Sequence, residues 1–296
     1  MSTEAPKNKN YELIGLDRED VDLIHIKARE VLNSNAFNED DFIDDPYDAS
    51  TVERDKAYVK RVKEQIERKQ TRESLELKQL ADIFEAIVLE HGELSEWFGE
   101  NAFTLATSAY DDLHGVDMVV EFREGASASY LGLAADVTFS GNPHSSDSIR
   151  DKFDRLLARI SSGDLPSVKY FKSAHIPIKG KLEVPEVIIG VEKATVLELA
   201  ELWNAKKNSI LSTHRVQIMI LEQILEQLVF IAKYARRADQ DRIANLYEQR
   251  LGIISQILEE KKNMVGQATK EHRVDEVHKQ IMGFLSRRLQ EFDDDQ

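Results

Sequence analysis

Two carboxylates interrupt runs that otherwise read as buried strand. Asp117 sits in Val116-Asp117-Met118-Val119-Val120, and Asp136 in Leu133-Ala134-Ala135-Asp136-Val137. An ionised carboxylate in such a run costs free energy unless it is paired or binds a cation. On neighbouring strands, two of them can reach one Mg²⁺ or Mn²⁺. These hard ions take oxygen ligands and leave room for substrate phosphate and water. Such an ion lowers the pKa of a water and stabilises charge on a phosphate. The chain has no cysteine, so a metal would draw on carboxylate, imidazole or water. The alternative is a pair of strand-end acids facing solvent.

The elements that must position these acids lie in residues 76–205. Apolar residues at helical spacing, from Leu80 through Ile83, Phe84, Ile87 and Val88 to Phe98, predict a helix over Leu77–Gly99, with Gly99 as its stop. Ala102–Ser108, Val116–Phe122 and Tyr130–Ser140 read as strands, the last two joined through Gly125 as a hairpin. A helix over Ser148–Ile160, strands at Val168–Phe171 and Val187–Val191, and a helix over Thr195–Trp203 complete the order α-β-β-β-α-β-β-α. Near-continuous apolar strands imply a sheet covered on both faces.

This stretch resembles the PD-(D/E)XK nuclease superfamily. That family has a helix with an acidic residue, three antiparallel strands, a helix and a further strand. Its first Asp lies on the second strand and its (D/E)-X-K triad on the third. Gly115-Val116-Asp117 matches the first position and Asp136-Val137-Thr138 the second. The resemblance implies a restriction-endonuclease-like α/β core with Asp117, Asp136 and a helix acid around a Mg²⁺ or Mn²⁺ ion. It offers Glu85, Glu90 and Glu93 for that acid, with Glu85 in Ile83-Phe84-Glu85-Ala86 preferred. Thr138 stands where the family has Lys. In some members the following helix supplies the Lys, and Lys152 in Ile149-Arg150-Asp151-Lys152-Phe153 is similarly placed. Its ammonium would orient the attacking water or neutralise developing charge. Lys169 and Lys172 are further alternatives.

Flanking regions differ in character. Residues 1–75 read as a polar, mostly helical extension: a short helix over Asp17–Leu32, an acidic linker at Glu39–Asp48, then a helix capped by Ser50 or Thr51 and running toward Ser74. Residues 206–296 read as all-helical, with helices over Ile210–Ala235, Ala238–Lys262 and Lys270–Phe292. The apolar face of Gln217–Ile231 predicts a helical hairpin or a homodimer interface.

Charge constrains the partners. Net charge is −15, from 54 acids and 39 bases, and residues 76–205 hold 22 acids against 11 bases. That argues against sequence-independent duplex binding over a wide surface. Phosphate-loop, dinucleotide-binding, nucleophile-elbow and HExxH motifs are absent from the sequence. No apolar run reaches the roughly 18 residues of a membrane span, and Met1–Asn10 has no signal-peptide core. The expectation is a cytoplasmic protein that does not enter membranes. It is either a metal-dependent nuclease acting on DNA or RNA, or a catalytically inactive relative that binds or scaffolds through its helical extensions.

Overall fold

A computed structural model describes residues 16–138, 143–265 and 275–294, with the side chains of 136–138, 143–148 and 291–294 excepted. The chain begins with α1 (Arg18–Asn35), where Asp17 and Asp20 form a capping box. After a 3-10 turn at Glu39–Phe42 comes α2 (Ala49–Glu67). Its cap is Asp48, ahead of the predicted Ser50 or Thr51, and the Asp48 carboxylate accepts from the Thr51 amide at 2.8 Å. The helix stops at Glu67. Thr71 and Ser74 then cap α3 (Arg72–Leu94), which starts earlier and ends earlier than Leu77–Gly99.

Next come β1 (Ala102–Ala106), the short α4 (Ala109–Asp112), β2 (Met118–Glu124) and β3 (Ser127–Thr138). β2 and β3 turn at Gly125, whose φ of 64° favours glycine. Helix α5 (Pro143–Ser161) follows. A separate hairpin of β4 (Ser167–Lys172) and β5 (Lys179–Glu183) intervenes before β6 (Glu186–Glu192). Helices α6 (Lys193–Asn204), α7 (Asn208–Leu211), α8 (Val216–Arg237), α9 (Asp241–Val265) and α10 (Glu276–Asp294) close the chain.

The main sheet runs β1-β2-β3-β6. Its first three strands are antiparallel, and β6 joins β3 in parallel, with Asp136 opposite Gly190. A parallel pair needs a crossover, supplied here by α5 and the β4–β5 hairpin. Alternation along β2 explains its continuous apolar run. Met118, Val120 and Phe122 enter the main core with α3, whereas Val119 joins Tyr130, Val168, Phe171 and Val184 under the hairpin. Glu121 is buried on that second face, and its carboxylate accepts from the Ser173 hydroxyl at 2.8 Å and the Ala174 amide at 3.1 Å.

One continuous apolar cluster extends from Val21 and Ile24 of α1 through α3, the sheet and α5 to Val277, Ile281 and Leu285 of α10. The apolar faces of α8 and α10 are buried within it. Among the described residues no helix is long and apolar enough to cross a membrane.

Four side chains seal the outer edge of β6. The Tyr247 hydroxyl accepts the Glu186 amide at 3.1 Å and donates to its carbonyl at 3.0 Å. Gln227 does both for Ile188, at 2.7 Å each, and Gln223 does both for Gly190, at 2.8 Å each. Asp275 accepts the Glu192 amide at 2.9 Å. Helical side chains thus take the place of a fifth strand, which removes an edge that would otherwise pair with another chain.

Candidate functional site

Asp117 leads into β2 and is held between the segment after β1 and strand β3. Its amide donates to the Leu133 carbonyl at 3.0 Å, its carbonyl accepts the Thr107 amide at 3.2 Å, and its carboxylate accepts the Ala135 amide at 2.6 Å. The Ala135 carbonyl in turn accepts from the Lys152 ammonium of α5 at 3.2 Å. Asp117 and Lys152 therefore grip the two polar groups of one residue, and that residue immediately precedes Asp136.

Glu85 lies mid-way along α3, and its carboxylate makes no hydrogen bond among the described residues. It lines a cleft of about 420 Å³ together with Asp117 and Asp112. Burial pushes the Glu85 carboxyl well above the usual carboxylate range, and the charges of Asp117 and Asp112 push it further. Burial likewise raises Asp117, with Asp112 adding to the rise. The Lys152 ammonium and the Ala135 amide act in the opposite direction.

The structure thus brings Glu85, Asp117 and Lys152 to one end of the sheet. It places the backbone of Asp136 there too, on β3; the side chains of Asp136 and Thr138 lie outside the described residues. The other two helix acids have work elsewhere. Glu90 accepts from the Trp203 indole N–H, and Glu93 accepts the Thr104 amide at 3.3 Å. Lys169 is paired with Asp55 beneath the Tyr170 ring system, away from the acids. Of the Asp111–Asp112 pair, Asp111 is structural: its carboxylate accepts the Lys169 and Tyr170 amides at 2.6 and 3.0 Å and the Ser108 hydroxyl at 2.9 Å.

Glu85, Asp117 and Asp112 fit a hard divalent cation in kind. They offer oxygen only, and the raised pKa values of Glu85 and Asp117 reflect burial and the negative charges around them. Among the described residues no three acids or histidines stand at metal-ligand spacing, so a complete shell would need Asp136.

Two features escaped the sequence. Glu186 opens β6, is buried, and is pushed up to about 7 by burial, against the pull of Arg159, Lys152 and Arg155. Asp82 is buried beside the cleft. It receives His25 at 2.8 Å, Arg29 at 3.4 Å and Lys78 at 3.8 Å. Only the i,i+4 spacing of Lys78 and Asp82 was visible as a signal.

Compared with known proteins, the chain matches no family model, no curated protein and no solved structure at a significant level.

Proposed function

We propose that residues about 76–205 form a PD-(D/E)XK-like core and that the protein is a metal-dependent nuclease hydrolysing phosphodiester bonds in DNA or RNA. The observation that carries this reading is the convergence of Glu85, Asp117 and Lys152 beside the strand bearing Asp136. The order α3-β1-β2-β3-α5-β6, interrupted by α4 and by the separate β4–β5 hairpin and ending on a parallel strand, is compatible with that fold. Asp117, Glu85 and Asp136 would hold Mg²⁺ or Mn²⁺, and the bound ion would supply Lewis acidity at the phosphate and lower the pKa of a water. Lys152, braced on the Ala135 carbonyl, keeps a cation within electrostatic reach of Asp117. Its part is to offset charge developing at the attacked phosphate.

The test is cleavage of labelled single- and double-stranded DNA and RNA in Mg²⁺ or Mn²⁺. Asp117→Asn and Asp136→Ala are each expected to abolish cleavage while leaving the fold intact. A wild-type protein that cuts none of these substrates rejects the catalytic reading.

Thr138 in the place of the family's Lys favours a second reading, an inactive core that binds or scaffolds. A homodimer through the C-terminal helices belongs to it. Such a dimer would have to use surfaces other than the faces of α8 and α10 already buried in the chain's own core.

A further inference from the structure

We propose that the cleft takes a single-stranded nucleic acid, and that the N-terminal helices α1 and α2 form the wall that binds its phosphates. The inference rests on the reading that a phosphodiester occupies this cleft; it adds which strand form enters and what holds it.

Charges of both signs line the cleft. Glu85, Asp112 and Asp117 stand there with Glu67 and Asp82, and Arg29 of α1, Lys63 of α2 and Lys78 of α3 line the same space. Arg29 and Lys78 converge on the buried carboxylate of Asp82 and remain 45% and 54% exposed. One anion thus holds two permanent cations at the cleft. Burial alone would raise Asp82, but the His25 hydrogen bond and the Lys78 and Arg29 charges outweigh it and hold the carboxyl below its ordinary range. Lys63 makes no ion pair among the described residues. Three cations set among the acids of one cleft suit a phosphate chain that lies with one phosphate near Glu85 and Asp117 and its neighbours on Arg29, Lys63 and Lys78.

Size and charge select the strand form. A volume of about 420 Å³ is in the range that encloses a small ligand, roughly 300–1,000 Å³, and so admits a nucleotide rather than a duplex. The net charge of −15 repels a duplex laid across the surface, while a strand threaded into the cleft meets Arg29, Lys63 and Lys78 at close range.

The experiment is fluorescence anisotropy with a labelled single-stranded oligonucleotide and its duplex, metal chelated so that binding is read apart from cleavage. The single strand is expected to bind at least about 10-fold more tightly than the duplex. Lys63→Glu and Arg29→Glu are each expected to weaken single-strand binding about 10-fold, and Lys63→Ala to lower the salt slope by about 0.7. Arg29 touches Asp82, so its variant is read only if its melting curve is native; Lys63→Glu is the deciding variant. Equal affinity for the duplex, no binding of the single strand, or unchanged affinity in Lys63→Glu overturns the inference. Cleavage is scored separately. A chain that cuts nucleic acid with an unchanged KM in Lys63→Glu keeps the nuclease reading and loses this one. A chain that binds single strands through Lys63 but never cuts keeps this inference and loses catalysis.

Discussion

The outer edge of β6 and the cleft beside Glu85 treat their polar groups in opposite ways. Along β6, Tyr247, Gln227, Gln223 and Asp275 satisfy every second residue's outward backbone groups. At the cleft, among the described residues, the Glu85 carboxylate has no hydrogen-bond partner and the Asp117 carboxylate has only the Ala135 amide. Buried polar groups in folded proteins are nearly always paired. The edge obeys that rule and serves stability. The cleft is governed otherwise: Glu85 and Asp117 are half-buried and reach solvent, and the charges of Asp117 and Asp112 press on Glu85. Repulsion retained beside a cavity is expected where a ligand relieves it.

The largest effect expected from this contrast is at the edge. Gln227→Leu keeps much of the side-chain volume but strips partners from both the amide and the carbonyl of Ile188, which stay buried. Two orphaned backbone groups, at roughly 2 kcal/mol each, predict a loss of about 4 kcal/mol. Urea unfolding monitored by circular dichroism checks it. A loss below about 1 kcal/mol would mean that water or a neighbouring chain already reaches this edge.

These glutamines also mark the limit of what the sequence discloses. Helical periodicity exposed α8 and its apolar face, but it assigned no part to Gln223 and Gln227. Their partners are backbone groups about 30 to 40 residues distant, which have no sequence signature. Asp117 was legible for the opposite reason: a charge inside an apolar strand is conspicuous without knowledge of its neighbours. Glu85 could not be separated from Glu90 and Glu93, because α3 is apolar around much of its circumference. Only the fold showed that Glu90 and Glu93 are occupied by Trp203 and Thr104. Strand β5 was missed because Lys179–Glu183 carries one large apolar residue, Leu182, and is ordered by pairing with β4. Asp48 was passed over as a cap because Ser50 and Thr51 are equally good capping types, and only geometry chooses among them.

Glu186 lies on the boundary between the two regions, and it predicts the next effect in size. Its backbone belongs to the sealed edge, whereas its carboxyl adds to the negative field at Asp117. The folded value is about 7, above the ordinary 4.5. Between pH 4.5 and 7 the folded state therefore holds more proton than the unfolded one, and stability falls as pH rises through that window. The full difference amounts to roughly 3 kcal/mol. Glu186→Gln should flatten this part of the stability–pH curve and leave stability below pH 4.5 nearly unchanged. An identical pH dependence in wild type and variant would show that Arg159, at 4.0 Å, already compensates the charge.

The smallest predicted change is the one that tests the contrast most directly. Glu85→Gln removes a carboxylate whose ionised form is disfavoured by burial and by Asp117. If the cleft carries a functional cost, the variant should be more stable than wild type by about 1 kcal/mol at neutral pH and less active in metal-dependent cleavage, the usual trade between stability and a strained site. Added Mg²⁺ or Mn²⁺ should stabilise wild type more than Glu85→Gln, since a ligand stabilises only in proportion to its preference for the folded state. Thermal melts of both proteins with and without metal read all of this but the activity. A destabilised Glu85→Gln would mean that the carboxylate has a structural partner after all, and the cleft would then differ from the β6 edge in degree and not in kind.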